Sequence, residues 1–245
     1  MKKIIYWTLI SLFVCVFATS AFFIVRYCVN SAKQEEYYSN IEKISQSSTE
    51  TPNNSEYILN YGELYRQNSD FTGWIKIEGT KINYPVMQSA DNPNFYLNHG
   101  FDKKYSVYGC PYISENCDVK KPSDNIVIHG HNMKDGSMFA GLSKFRKKDF
   151  WENHKTISFN TLYDSYEYEI VAVFKTVADD DGFKYYQFTD ANGEEEFDRY
   201  ISACKRLALY DTGVSAEYGD KLITLSTCEY SKKDGRLAIV AKRIK

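Results

Sequence analysis

The stretch Lys221–Ile244, KLITLSTCEYSKKDGRLAIVAKRI, sets two apolar runs on either side of a polar segment that ends in glycine. Short runs rich in Leu, Ile, Val and Thr, bounded by Lys, Asp and Gly, read as two neighbouring β-strands joined by a loop. If EYSKKDG is that loop, Cys228 closes the first strand and Arg236, eight positions on, opens the second. Both then lie at one end of a sheet and can face one cleft.

Working back along the chain, similar runs recur: GWIKIEG, INYPVMQ, YSVYGCPYIS, NIVIHGH, TISFNTL and YEYEIVAVFKTV, with turn signals such as EGTK between some of them. Two stretches with helical spacing interrupt the series, SMFAGLSKFRKKDFWENH and EEEFDRYISACKRLAL. A further helix is expected in EYILNYGELYRQNSD, with Gly62 as its weak point. Short strands with a few inserted helices predict a mainly β fold, a barrel or sandwich decorated by helices, rather than alternating βα units. The 21 tyrosines fit a pleated, half-buried surface. Pro85 cannot donate a ladder hydrogen bond and marks an edge or bend.

The 245 residues hold about one ordinary domain once a terminal segment is set aside. A net charge of −2 leaves no basic footprint for nucleic acid. Ile4–Val25, IIYWTLISLFVCVFATSAFFIV, is 22 residues without a charge, enough to cross a hydrocarbon layer of roughly 30 Å. It exceeds the h-region of a cleaved signal peptide, about 7–15 residues, so an uncleaved anchor is expected. Lys2 and Lys3 ahead of it favour a cytoplasmic N-terminus and an outward-facing body. The expected organisation is residues 1–29 as cytoplasmic tip and transmembrane anchor, 30–55 as a polar stalk, and 56–245 as the folded domain. Within the stalk, KQEEYYSNIEKISQ has the makings of a short helix.

Of six cysteines, Cys15 and Cys28 belong to the anchor or its edge. Cys110 and Cys117 are expected as free thiols, although a short disulfide loop is open to them, and Cys204 as a buried small hydrophobe on a helix. Cys228 remains. A thiol needs a neighbouring base or cation to be a strong nucleophile near neutral pH, because its ordinary pKa is about 8.5. His129 and His131, in NIVIHGHNM, share a face if their strand continues through Gly130. A guanidinium cannot act as a base but can oppose the charge of a tetrahedral intermediate. The division of labour is therefore Cys228 as nucleophile, His131 as proton carrier and Arg236 as electrostatic stabiliser. Packing is the bland alternative for Cys228 alone, and a zinc site on His129, His131 and Cys228 is the chemical one, though it lacks a clear fourth ligand. Asp179-Asp180-Asp181 reads as a solvated loop, since the alternating acids of an EF-hand are absent. His99 and His154 read as turn and cap residues.

Taken together, the anchor, NIVIHGHNM, TLSTC and the arginine opening RLAIVAKRI resemble a sortase of class B, over roughly residues 57–245. The resemblance implies an eight-stranded sortase-type β-barrel with an N-terminal helix and inserted helices, preceded by one transmembrane helix. It implies a cysteine transpeptidase, without metal or cofactor, on the outer face of a Gram-positive membrane. Such an enzyme cleaves a sorting motif near the C-terminus of exported proteins through a thioacyl-enzyme. It then transfers them to an amine of a cell-wall precursor, a lipid-linked peptidoglycan unit. By position, the family's nucleophile, histidine and arginine fall on Cys228, His131 and Arg236; His131 is chosen over His129 because it lies between glycine and asparagine. Leu225, Ser226, Thr227 and Asn132 are the residues expected to bind substrate, and Asn132 is also a candidate to orient the imidazole. Two departures stand out: GCPYISENC brings in Cys110 and Cys117, and Tyr230 occupies a place where some class B members carry an aspartate. The functional alternatives are a zinc-binding or structural surface domain, and a cysteine hydrolase that uses water.

Overall fold

A computed structural model describes residues 2–46, 61–178 and 182–245. The acidic run 179–181 and residues 56–60 of the helix expected in EYILNYGELYRQNSD lie outside the described residues. The chain divides into two compact units, Met1–Lys43 and Ile44–Lys245.

The first unit is built on one helix, α1, Lys2–Gln46. It is long and apolar enough to cross a membrane. The sequence changes from apolar to polar near Asn30, yet the helix does not break there: no glycine or proline occurs between residues 2 and 46, and the polar half is rich in good helix formers. The short helix expected in the stalk is thus the continuation of the apolar one, and residues 47–55 of the stalk lie outside the described residues.

In the second unit, α2 (Tyr61–Gln67) leads into eight strands: β1 Phe71–Lys76, β2 Asn83–Met87, β3 Tyr112–Ile113, β4 Asn125–His129, β5 Thr156–Thr161, β6 Ser165–Val177, β7 Leu222–Cys228 and β8 Gly235–Arg243. They close into a barrel in the order β1-β2-β3-β4-β7-β8-β6-β5. Closure removes free edges, which suits a chain made of many short strands. The expectation of a mainly β, eight-stranded barrel with inserted helices holds. Two elements differ in extent. YSVYGCPYIS contributes only Tyr112 and Ile113 to the sheet, because Gly109 turns through a positive φ of 59° and Pro111 brings no N–H. SMFAGLSKFRKKDFWENH forms a 3₁₀ segment, Phe139–Arg146, and a short helix, α3 (Lys148–Asn153), separated by Lys147 in an extended conformation.

Pro85 lies within β2 opposite Trp74 of β1. Its carbonyl accepts from Cys110 Sγ on the β3 side, where β2 is paired only through Met87. The missing N–H therefore falls where no ladder bond is required.

The outer face of β6, β7 and β8 is covered by α4, Glu194–Leu207. Phe197, Tyr200, Ile201 and Cys204 recur at helical spacing and bury one stripe against Ala172, Phe174, Leu222, Ala238 and Val240. Three glutamates in its first turn and Lys205 and Arg206 in its last complement the helix dipole. Cys204 is fully buried there, and burial pushes its thiol up to about 12. Alternation then places Ile223, Leu225, Leu237 and Ile239, all buried, on the inner face of the barrel. Polar groups in this core are paired: Asn125 donates to the Phe188 carbonyl at 2.7 Å and accepts from Thr224 Oγ1 at 2.8 Å. Cys110 and Cys117 are buried and not joined in a disulfide, the latter accepting from the Val127 N–H at 3.4 Å.

Candidate active site

Three strand ends meet at one rim of the barrel. β7 and β8 run antiparallel with Cys228 opposite Arg236. β4 runs parallel to β7 with His129 opposite Ser226. The C-terminal ends of β4 and β7 and the start of β8 therefore converge, and each delivers one of the expected residues. Cys228 shares its face of β7 with Ser226, Thr224 and Leu222, the outer face beneath which α4 packs. Cys228 is half-buried, so the thiol is reachable from outside.

The chain leaves β4 along β7 for one further residue. Gly130 N–H donates to Ser226 O at 3.1 Å, and Thr227 Oγ1 donates to Gly130 O at 2.7 Å. A Cβ at Gly130 would lie 2.6 Å from the Phe139 ring, so only glycine fits. The two histidines that flank it differ. His129 is held at 3.1 Å by Ser114 Oγ and packs its ring 5.4 Å from that of Tyr112. Burial, with the nearby Arg236 charge, pushes its pKa down to about 4, which leaves the ring neutral at ordinary pH. His131 is held through Nε2, 2.7 Å from the Leu97 carbonyl. A carbonyl only accepts, so Nε2 carries a proton, and Nδ1 is the nitrogen left to exchange one.

Arg236 Nη1 donates to the carbonyl of Gly235 at 3.0 Å. Its charge and the Cys228 thiol both act on Tyr112, Tyr185 and Tyr230, three phenols that ring this rim. Burial raises Tyr112 and Tyr185 to about 12, so they remain neutral hydrogen-bonding groups. Glu229 turns away from the cleft. Its carboxylate pairs with Lys175 at 2.9 Å and Arg146 at 3.6 Å, and accepts from the Ser231 hydroxyl and backbone N–H. Burial alone would raise its pKa, but these bonds outweigh it and hold the group below its ordinary value. This acid anchors the β7–β8 loop and is not a partner for His131.

Of the residues expected to bind substrate, Leu225 is fully buried on the inner face, and Thr227, also buried, is engaged with Gly130. Ser226 is buried on the outer face and bonded to Tyr185 OH at 2.6 Å. Asn132 lies at the rim, where its Nδ2 donates to the Cys228 carbonyl at 2.8 Å. Among the described residues, no three or more His, Cys, Asp or Glu side chains converge as a metal site. His99 and His154 bond to carbonyls four residues back, Phe95 O and Phe150 O. Three contributors escape a reading of the sequence. They are Leu97, through its carbonyl, Tyr185, through a hydroxyl from the β6–β7 segment, and Tyr230, whose hydroxyl donates to Asn132 O at 3.0 Å. Only Tyr230 had a local signal, its nearness to Cys228.

Residues 75–244 match the family model described as the sortase domain. Sortase B of Staphylococcus aureus (strain NCTC 8325 / PS 47) is 33% identical over 76% of this chain and 75% of its own length. Sortase B of Listeria monocytogenes serovar 1/2a is 36% identical over 74% of this chain and 73% of its own. The solved structure of a Staphylococcus aureus sortase B–substrate complex superposes with a TM-score of 0.77 at 28% identity, covering 89% of this chain and 99% of that one.

Proposed function

The chain belongs to the sortase family, as a class B sortase and so a cysteine transpeptidase, and from that premise we propose that Cys228, His131 and Arg236 carry its catalysis. The observation that carries the assignment is the register that sets Cys228 opposite Arg236 beside the β4 end from which His131 follows. Cys228 Sγ gives its proton to His131 and attacks the carbonyl of a sorting-motif peptide bond. As the C–N bond breaks, His131 gives a proton to the departing amine, and the acyl group stays on sulfur as a thioester. An incoming amine then attacks the thioester, His131 takes up its proton and passes it to sulfur as the C–S bond breaks, and the thiol is restored. Arg236 opposes the negative charge on oxygen in both tetrahedral intermediates. His131, rather than His129, is the proton carrier because His129 is held neutral down to about pH 4.

The substrate class is an exported protein with a C-terminal sorting motif, a reading supported by the related Staphylococcus aureus sortase B having been solved with its substrate. The acceptor is a cell-wall amine, a lipid-linked peptidoglycan precursor. Asn132 lines the cleft, whereas Leu225, Ser226 and Thr227 shape it from below through packing and hydrogen bonds. Residues 1–29 act as a cytoplasmic tip and single-pass anchor, 30–55 as the spacer and 56–245 as an extracellular catalytic domain, an arrangement that the apolar half of α1 supports.

The test uses the full chain in detergent with a library of sorting-motif peptides, with and without triglycine as amine acceptor. Cleavage with peptide joined to triglycine is expected, abolished in Cys228→Ala and indifferent to chelator. Turnover that survives Cys228→Ala but stops on chelation would sink the assignment, and cleavage that never yields an amide product would indicate a hydrolase. Protease accessibility of intact cells tests the topology: the C-terminal domain should be digested from outside.

A further inference from the structure

The β7–β8 loop and the loop after β4 are tied to each other at two points, both within two residues of a catalytic group. Asn132, which follows His131, donates from Nδ2 to the carbonyl of Cys228 at 2.8 Å. Tyr230, two residues after Cys228, donates from its hydroxyl to the carbonyl of Asn132 at 3.0 Å. The bonds run in opposite directions and close a ring through residues 228, 229, 230 and 132.

Each side of this ring is separately fixed. The loop after β4 closes on itself, with Phe139 N–H donating to His131 O at 2.8 Å and Asn132 bridged to Met138. The β7–β8 loop is pinned by Glu229 to Lys175 and by Glu229 N–H to Gly235 O at 2.9 Å. Gly235 itself is required there, since a Cβ would lie 2.3 Å from Glu229 O. Two stiff loops joined at two points leave the backbones of His131 and Cys228 little freedom to slide past each other. Tyr230 is 72% exposed, so its ring fills no core. What its hydroxyl does there is make the bond to Asn132.

We propose that Tyr230 and Asn132 form a latch that positions the His131 loop against the Cys228 strand end, Tyr230 serving as a positioning residue at a place where an aspartate would have no proton to donate. This rests on the assignment of Cys228 and His131 above. A displacement of about 1 Å between reacting groups costs up to roughly 10²-fold in rate, so a latch of two hydrogen bonds has leverage on turnover out of proportion to its effect on stability.

The experiment compares Tyr230→Phe, Tyr230→Asp, Asn132→Ala and the double variant Tyr230→Phe/Asn132→Ala with the unmodified full chain. Three quantities are read: kcat and KM for the best library peptide with triglycine, the rate of Cys228 alkylation by iodoacetamide followed on the Cys228 peptide by mass spectrometry, and Tm. Alkylation needs no substrate and reports the thiol's surroundings directly. Tyr230→Phe is expected to lower kcat about fivefold at unchanged KM, to slow alkylation, and to leave Tm within about 2 °C. Tyr230→Asp should be at least as impaired, and the double variant no worse than Asn132→Ala, because both bonds belong to one device. The latch is overturned if Tyr230→Phe keeps both kcat and alkylation rate, if it lowers Tm alone, if Tyr230→Asp matches the unmodified chain, or if the two substitutions combine additively. Transfer that persists in Cys228→Ala would instead bring down the assignment of the nucleophile, and with it the latch.

Discussion

The last residue of β4 and the loop that follows it carry the same side chain two positions apart, in opposite settings. His129 is sunk beside Tyr112, bonded to Ser114 and pushed down to a pKa of about 4, chiefly by burial. His131, past Gly130, is held at Nε2 by the Leu97 carbonyl. The difference teaches that where the backbone stops being sheet decides which partners an imidazole meets, and it is why His131 rather than His129 is proposed as the proton carrier. At the end of the ladder the His129 imidazole is a neutral hydrogen-bonding wedge; past Gly130 the His131 imidazole hangs on a loop carbonyl instead.

The strongest way to break this comparison is to remove each ring in turn. His131→Ala should lower kcat by roughly 10²–10⁴-fold, the worth of a positioned acid–base group. His129→Gln, which keeps a hydrogen-bonding group near Ser114, should stay within about tenfold on the same peptide assay. Equal losses would erase the distinction.

Arg236→Ala removes the cation proposed to stabilise the intermediate, one that also helps keep His129 neutral. A loss of roughly 10²–10³-fold in kcat is expected, together with a rise in the pKa of His129 measured by NMR, since Arg236 acts to lower it. No movement of the His129 resonance would mean that burial alone sets its charge state.

Stability should report His129 as well. The unfolded chain takes up a proton at this side chain near pH 6.5, while the folded chain resists it down to about 4. The contribution of His129 is thus present above that window and lost as the pH falls through it, by about 3 kcal/mol when complete. Urea unfolding at a series of pH values should show this acid loss, and His129→Gln should flatten it. An unchanged slope would mean that the ring is protonated in the fold.

The smallest effect is expected at the residue between the rings. Gly130→Ala places a methyl 2.6 Å from the Phe139 ring, a clash worth about 1–3 kcal/mol. A lower Tm with slowed turnover is expected, because the shift that relieves the clash moves His131. A variant as stable and active as the original would show the loop to be slack.

Much of the barrel was readable because its strands carry period-two burial and are bounded by turn residues; β5 alternates buried and less buried positions from Thr156 to Thr161. The extent of β3 was not, since YSVYGCPYIS has strand composition throughout and only its packing, with Gly109 and Pro111, limits pairing to two residues. The break at Lys147 likewise has no signal in side-chain periodicity. In the site, the cysteine, histidine and arginine stand out by chemical type. Which side of β7 faces the cleft is a matter of the sheet, and the sheet turns Leu225 and Thr227 inward, away from Cys228.

By itself, the amino-acid sequence determined the β-rich class, the apolar N-terminal helix, and a thiol, an imidazole and a guanidinium in the order and context that a sortase uses. The class and the helix follow from composition and short-range spacing, which act between residues close along the chain, and the sortase context follows from the resemblance of the motifs around those three side chains. Only the tertiary structure decided that β4 lies parallel to β7, that His129 bonds to Ser114 while His131 bonds to the Leu97 carbonyl, and that the Tyr230 hydroxyl reaches the carbonyl of Asn132 across 98 positions. Burial and hydrogen-bond partnership depend on which segments the closed barrel brings side by side, and no local pattern encodes that.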